Sequence, residues 1–265
     1  MQTRSAVRAV LVLAALSACA QAARPGSDGA APAASSEARS GPPDRPQNLK
    51  VLPDTLSREA VIAVMRNFTT SLGVRCNHCH VAYPGAPPDS LDFASDGKGT
   101  KEVARGMMRM VRAINGEHLP EIPELGDNPM QVGCVTCHRG APRPLMLEDT
   151  LGTVARTLGV DSAAAAYGRL RTQYYGRGTY DFGERSLSTL ASRLAAEGRR
   201  AEARRILELN AQQFPSSAGV AVELGRVLEA LGERDRAVEQ YRRALAIQPD
   251  NRQAQERLRA LGVQP

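Results

Sequence analysis

Apolar residues recur at helical spacing along most of the chain after residue 57, and this pattern predicts a mainly α-helical protein. The first helix is predicted over residues 58–71, with Ser57 as its N-cap and an apolar face that includes Met65. A second helix is predicted over residues 101–117, with Thr100 as its cap. Two overlapping apolar stripes of this helix pass through Met107, which is therefore expected to face inward, although spacing alone does not separate it from Met110.

From residue 184 the apolar pattern repeats with a period of 34 residues. Leu187, Leu190, Ala191, Leu194, Gly198, Ala203, Leu207 and Pro215 recur as Ala221, Leu224, Gly225, Leu228, Gly232, Ala237, Tyr241 and Pro249. Helix pairs with small residues at these positions are typical of tetratricopeptide repeats. We assign residues 160–265 to such an array, opened by residues 161–175 and closed by a helix over residues 252–261. Its groove is expected to bind a protein partner; the alternative is that the array only caps and solubilises the preceding domain.

The first 18 residues have the features of a secretory signal peptide. Arg4 and Arg8 precede an apolar run over residues 9–16, which is too short to span a bilayer. The run leads into Leu-Ser-Ala-Cys19, which resembles a bacterial lipobox and predicts cleavage before Cys19 and lipidation of that residue. The alternative is ordinary cleavage after Ala18 or Ala20. Either reading predicts a periplasmic protein, and the first also predicts a lipid anchor on a bacterial membrane.

Residues 19–47 are mostly Ala, Pro, Gly and Ser, and this composition predicts a flexible linker between the anchor and the domain that follows.

Two stretches of the form Cys-x-x-Cys-His carry the candidate chemistry. They are Cys76, Cys79 and His80 in the first motif and Cys134, Cys137 and His138 in the second. This spacing is typical of covalent c-type haem attachment, in which both thiols bond to one porphyrin edge and the following imidazole ligates the iron. The sequence therefore predicts two covalently bound haems in residues 48–148. Met65 precedes the first motif on an apolar face, where it is either core filler or a ligand on the opposite side of that haem.

Composition and charge narrow the function. Aromatic residues make up only 4% of the chain and Trp is absent, so two buried haems would replace much of the usual bulky core. The net charge is +6, and the excess is carried by arginines of the C-terminal region that alternate with glutamates at helical spacing. This alternation favours a solvated helix surface, or one that docks an acidic partner, over nucleic-acid binding.

The region from about Asn48 to Leu145 resembles the cytochrome subunit of photosynthetic reaction centres. The likeness rests on Asn48-Leu-Lys-Val-Leu52, Met65, Leu72-Gly73, Ala104-Arg-Gly-Met107, Ala113-Ile-Asn115, Cys137-His-Arg-Gly140 and Pro144-Leu145. The resemblance implies that Met65 is the sixth ligand of the first haem and Met107, with Met110 as the alternative, that of the second. The protein has two motifs where the photosynthetic subunit usually has four. A two-haem relative that serves another periplasmic electron-transport chain therefore fits as well.

The resulting prediction is a membrane-tethered periplasmic dihaem cytochrome that transfers electrons between redox proteins and is not an enzyme. Ligation by His and Met would fill both axial positions of each iron. One alternative is a dihaem peroxidase, which needs one iron with a displaceable ligand. The other is a scaffold protein in which four cysteines hold a structural zinc ion and the repeats bind the partner.

Overall fold

The computed structural model of the chain describes residues 45–128 and 130–265. The predicted signal peptide, most of the predicted linker and Cys19 lie outside these residues. The described part is mainly helical, as predicted. Its α-helices are α1 (Arg58–Leu72), α2 (Gly99–Ala113), α3 (Cys134–His138), α4 (Leu147–Leu158), α5 (Val160–Tyr174), α6 (Glu184–Ala196), α7 (Arg200–Gln213), α8 (Ala218–Ala230), α9 (Arg234–Ile247) and α10 (Arg252–Ala260).

Shorter elements lie between the first three helices. The strands β1 (Val81–Ala82) and β2 (Leu91–Asp92) pair antiparallel in the loop between α1 and α2. Single 3-10 turns occur at Cys76–His78 and Pro123–Leu125, and a π-helical turn over Ile114–His118 continues α2. Within the described residues, no helix is both long and apolar enough to cross a membrane.

The ends of α1 follow from local sequence signals. The Ser57 hydroxyl accepts a hydrogen bond from the backbone N–H of Ala60 at 3.2 Å, which confirms the predicted N-cap. The helix ends at Gly73, which has a left-handed φ of 64°. The predicted cap of α2 is wrong, because this helix begins at Gly99 and Thr100 lies inside its first turn. The Thr100 hydroxyl instead donates to the carbonyl of His78 at 2.7 Å.

Helices α4 to α10 pack as an array around one continuous apolar core. The pairs α6–α7 and α8–α9 repeat the same arrangement, and Gly198 and Gly232 occupy equivalent turns with φ of 81° and 77°. The predicted closing helix is present as α10. Helix α4, which the sequence pattern did not indicate, contributes the fully buried Leu147 and Leu151 to this core and packs on α5 and α6.

Close helix contacts in the array depend on small residues. A Cβ atom on Gly225 of α8 would lie 2.6 Å from the ring of Tyr241 on α9, so only glycine allows this approach. The Tyr241 ring is fully buried, and its hydroxyl donates to Glu229 at 3.0 Å. Glu229 also pairs with Arg257 of α10, which ties the closing helix to the last repeat.

Candidate haem-binding sites

The segment that carries the two Cys-x-x-Cys-His motifs has very little protein core of its own. Within the described residues from 45 to 140, the buried side chains are the polar Ser71, His80 and Arg105, and no apolar side chain is buried. Large apolar side chains of this segment are instead exposed: Tyr83, Phe93, Val103, Met107, Met110, Ile122, Leu125, Met130 and Val135. Exposed apolar surface on this scale marks a binding site, and a large flat apolar group such as haem fits it.

A polar cluster fixes the start of this segment to α2. Asp96 forms ion pairs with Lys50 at 2.7 Å, Lys101 at 3.2 Å and Arg105 at 2.9 Å. Hydrogen bonds from these cations, that of Arg105 first, hold the pKa of Asp96 well below its usual range. Arg105 also donates to the carbonyl of Asn48 at 3.2 Å. The cluster therefore holds residues 48–50 against the N-terminal half of α2.

In the first motif, the chain turns so that His80 points into the protein. The backbone N–H of His80 donates to the carbonyl of Cys76 at 3.0 Å, and the imidazole is only 8% exposed. Its ring lies edge-on to Phe93, with 5.0 Å between ring centroids. Burial, and then the positive charge of Lys101, lower the pKa of His80. The imidazole is therefore neutral at physiological pH, which is the form that ligates a metal.

The polar atoms of the first motif are not all satisfied by the protein. The Nδ1 atom of His80 is buried and has no hydrogen-bond partner among the described residues. Burial also raises the pKa of the Cys79 thiol, while Cys76 is exposed, and both cysteines are free of disulfides. Two free thiols beside a buried neutral imidazole fit covalent attachment and axial ligation of a haem.

In the second motif, helix α3 places the thiols and a turn orients the histidine. The hydroxyl of Thr136 accepts a hydrogen bond from the backbone N–H of Gly133 at 3.0 Å, at the start of α3. Nδ1 of His138 lies 2.9 Å from the carbonyl oxygen of Ala141. Because a carbonyl can only accept, Nδ1 must carry the proton, which leaves the Nε2 lone pair available to ligate iron. Cys134 is half-buried, Cys137 is exposed, and both are free.

Helix α2 is attached to the first motif at one end and to the approach to the second motif at the other. At its N-terminal end, Lys98 and Thr100 donate hydrogen bonds to the carbonyls of Asn77 and His78. Beyond its C-terminal end, the Asn115 amide forms two hydrogen bonds with the backbone of Val132, both at 2.8 Å. The length of α2 therefore fixes the spacing between these two attachment points.

A backbone contact brings the flanks of the two motifs together. The N–H of Gly140, just after the second motif, donates to the carbonyl of Ser71 at 2.8 Å, and α1 packs on α3. Gly73, just before the first motif, approaches so closely that a Cβ atom there would lie 2.2 Å from the carbonyl oxygen of Gly140. The two motifs are therefore neighbours in the fold.

The structure defines the roles of the candidate methionine ligands less clearly than those of the cysteines and histidines. Met65 is half-buried on α1, in the helix that leads to the first motif. Met107 is 43% exposed and Met110 is 48% exposed, so Met107 does not face a protein core as the apolar stripes predicted. Exposure does not distinguish these two residues, and each has a side chain that a haem face could cover.

Two residues contribute to the second site although no local sequence pattern predicts their contacts there. The sequence marks Asn115 only as part of the family resemblance, whereas the structure shows that its side chain bonds to the backbone of Val132. Thr179 lies in the loop between α5 and α6, and its hydroxyl donates to the carbonyl of Arg139 at 2.5 Å. No local pattern around Thr179 indicates this contact.

This arrangement defines a haem-binding segment of the c-type cytochrome class, followed by a helical repeat array. Residues 28–157 match the family described as photosynthetic reaction centre cytochrome c subunit, and residues 218–260 match a tetratricopeptide repeat family. Over these residues the chain is therefore similar to the photosynthetic reaction centre cytochrome c subunit family. This likeness to c-type cytochromes implies covalently bound haem.

Two curated relatives are similar over the same part of the chain. Cytochrome c-554 of Chloroflexus aurantiacus is 34% identical over 98 residues, which are 37% of this chain and 21% of that protein. The photosynthetic reaction center cytochrome c subunit of Thermochromatium tepidum is 40% identical over 100 residues, again 37% of this chain and 21% of that protein. The chain thus spans about a fifth of the length of these relatives.

The similar solved structures resemble the chain only distantly. The first tetratricopeptide domain of human RPAP3 is 19% identical, covers 44% of this chain and 87% of its own, and has a TM-score of 0.31. MamA is 17% identical, covers 44% of this chain and 67% of its own, and has a TM-score of 0.30. Scores of this size carry no conclusion about function.

Proposed function

We propose that this protein is a dihaem c-type cytochrome that carries electrons between redox proteins on the periplasmic side of a bacterial membrane. The observation that carries the proposal is the absence of a buried apolar side chain in the described residues between 45 and 140, around two Cys-x-x-Cys-His motifs. Each haem would supply the missing apolar core and a one-electron iron couple. The electron-transfer role also agrees with the two cytochromes to which this segment is similar.

Each motif would hold one haem through residues with distinct tasks. In the proposed assignment, thioether bonds form at Cys76 and Cys79 for the first haem and at Cys134 and Cys137 for the second. His80 and His138 are the corresponding iron ligands. Burial keeps His80 neutral, and the hydrogen bond from His138 to the carbonyl of Ala141 fixes its tautomer and increases its basicity as a ligand.

The proposed ligands on the opposite faces are Met65 for the first haem and Met107 for the second, with Met110 as the alternative. Their helices are joined to the motif regions, since α1 leads directly into the first motif, and α2 is held to the first motif and, beyond its C-terminal end, to the segment before the second. A methionine ligand would close the remaining axial position, so the protein would carry electrons and would not bind peroxide.

The close approach of Gly73 and Gly140 supports electron exchange between the haems. These glycines flank the two motifs, and their contact leaves no room for an intervening side chain. The proposed haems would therefore belong to one compact unit that accepts and passes on electrons, and each would have a different protein environment. Only the first histidine, His80, is buried against an aromatic ring.

The membrane anchor and the repeat array complete the proposal. Cys19 is proposed to be lipidated after removal of residues 1–18, and residues 19–47 would let the cytochrome stand away from the membrane.

The array is proposed to bind a protein partner. Exposed Arg185 of α6 and Arg226 of α8 favour a partner whose contact surface is acidic. Binding of the array to this protein partner should then weaken as ionic strength rises. Binding that does not depend on salt would contradict an acidic contact surface on the partner.

A redox titration of protein matured in a c-type assembly strain tests the central proposal. Wild type should carry two covalent haems by intact mass and show two low-spin irons by optical and magnetic spectroscopy. Met65→Ala and Met107→Ala should each remove the methionine signature from one haem only, and Met110→Ala tests the alternative ligand. Met146→Ala is the matched control, because this exposed methionine lies outside α1 and α2.

Three outcomes would refute the proposal in different ways. A protein with one haem or none would contradict the assignment of the motifs. A native high-spin iron that turns over peroxide would instead make the protein an enzyme. An acylated N-terminal peptide in mass spectrometry should disappear in Cys19→Ala; an unmodified Cys19 in membrane-extracted protein would contradict the anchor.

A further inference from the structure

A hydrogen bond joins the repeat array to the turn that follows the second motif. Thr179 lies in the loop between α5 and α6 and is only 4% exposed. Its hydroxyl donates to the carbonyl oxygen of Arg139 at 2.5 Å, although the two residues are 40 positions apart in the chain. Arg139 directly follows His138, the proposed iron ligand of the second haem. The contact therefore connects the array to the residue next to that ligand.

The turn that receives this contact has a backbone that needs support. Arg139 and Gly140 both adopt left-handed conformations, with φ of 46° and 85°. For arginine this conformation is unfavourable, because its Cβ approaches the following carbonyl oxygen. The turn closes through the N–H of Ala141, which donates to the carbonyl of His138 at 2.9 Å. The carbonyl oxygen of Ala141 in turn accepts the hydrogen bond from Nδ1 of His138, so the shape of this turn sets the orientation of the imidazole.

The array holds Thr179 rigidly in the position from which it reaches this turn. The next residue, Tyr180, packs edge-on against Tyr174 of α5, with 5.4 Å between ring centroids. Phe182 is buried and packs edge-on against Tyr167, with 5.9 Å between ring centroids. Thr179 is thus anchored by the core of the array rather than by the haem segment.

We propose that Thr179 is a positioning residue for His138, through which the repeat array sets the reduction potential of the second haem. The inference rests on the proposed function, because it requires a haem at the second motif. Thr179 holds the Arg139 carbonyl and so keeps the turn closed, which maintains the hydrogen bond from His138 to Ala141. This bond makes the imidazole a more basic ligand, and a more basic ligand favours the oxidised iron.

Thr179→Val tests this role, because valine has nearly the same shape and lacks the hydroxyl. In the holoprotein, the second haem should become easier to reduce. Its ratio of reduced to oxidised form at a fixed potential should rise about threefold, roughly 28 mV for a one-electron couple at 59 mV per tenfold. The second haem is identified as the component that is missing in Cys134→Ala/Cys137→Ala. Thr179→Ser should restore the wild-type potential, because it retains the donor.

Ser186→Ala is the matched control. It also removes a buried hydroxyl that donates to a backbone carbonyl in the same loop, but this bond does not reach the haem segment. We expect both haem potentials to stay at their wild-type values in this variant. Amide hydrogen exchange gives an independent readout: the N–H of Ala141 should exchange about tenfold faster in Thr179→Val, and at the wild-type rate in Ser186→Ala and Thr179→Ser.

The outcomes separate this inference from the proposed function. Wild-type protein with fewer than two haems would refute the proposed function. Two haems with an unchanged or lowered second potential in Thr179→Val would refute only the role of Thr179. An equal shift in Ser186→Ala would also refute it, since any loosening of the loop would then suffice. If Thr179→Val does not mature, Thr179→Ala provides the same comparison with Thr179→Ser.

Discussion

Gly73 is the position at which one added methyl group should separate the two motifs. Its backbone has a φ of 64°, which favours glycine. A Cβ atom there would lie 2.2 Å from the carbonyl oxygen of Gly140 and 3.0 Å from its carbonyl carbon. These are backbone atoms that cannot rotate aside, so Gly73→Ala must move α1 away from the turn after α3. The hydrogen bond from Gly140 to Ser71, 2.8 Å long, would be lost in that movement.

The expected cost combines two effects. Placing alanine in the left-handed region costs about 1–2 kcal/mol. Losing the backbone hydrogen bond between Gly140 and Ser71 adds about 1 kcal/mol. We therefore expect Gly73→Ala to lower the free energy of unfolding by roughly 2–3 kcal/mol. Gly85→Ala is the matched control, because Gly85 has a similar φ of 73° and no heavy atom within 4 Å of the added Cβ position.

Urea unfolding of the holoprotein, followed by circular dichroism and by haem absorbance, measures both variants. Gly85→Ala should show only the backbone cost of about 1–2 kcal/mol. Gly73→Ala should exceed it by about 1 kcal/mol and should also slow electron exchange between the two proposed haems. Equal destabilisation by the two substitutions would refute the close contact between Gly73 and Gly140 as the cause, whatever the absolute size of the effect.

Three further predictions concern other parts of the chain. Asn115→Ala removes both hydrogen bonds to the segment before the second motif, so the free energy of unfolding should fall by about 2 kcal/mol; a change within error would contradict this. Gly225→Ala should destabilise by about 1–3 kcal/mol, because its Cβ would meet the Tyr241 ring, whereas Gly219→Ala in the same helix, with more space, should be neutral or slightly stabilising. Burial, and then Glu229, raise the pKa of Tyr241 to about 12. Because an unfolded tyrosine ionises near ~10, the unfolded state loses its proton first, and the free energy of unfolding should fall between pH ~10 and ~12. Tyr241→Phe should flatten this fall in alkaline urea titrations, and parallel curves would contradict the raised pKa.

The parts of the fold that could be predicted depend on local rules. Ser57 and Gly73 are strong start and stop signals, and the helix between them follows the prediction to within one residue. The period of 34 residues likewise predicts α6 to α9, because each repeat must present the same small and apolar residues to its neighbours. In both cases, the residues that form an element also contain the information that defines it.

The parts that could not be predicted depend on contacts between distant residues. Thr100 has a suitable side chain for a helix cap, but its hydroxyl bonds to His78 in the preceding loop. Helix α4 lacks the repeat pattern and is stabilised by the core that it shares with α6. Met107 and Met110 lie on one helix with nearly equal exposure, so neither spacing nor burial selects the ligand between them. Such choices are made by tertiary packing and by the bound group.

The turn after the second motif is where the two halves of the protein depend on each other. The haem segment buries no apolar side chain within its described residues from 45 to 140, while the array has a continuous apolar core. At this turn, the N–H of Gly140 bonds to Ser71 of α1 and the carbonyl of Arg139 bonds to Thr179 of the array. A segment that relies on a cofactor for its core gains most from such fixed points, because the array is ordered by protein packing alone. The turn lies beside His138, so the rigidity of the array reaches the residue that is proposed to ligate the second iron.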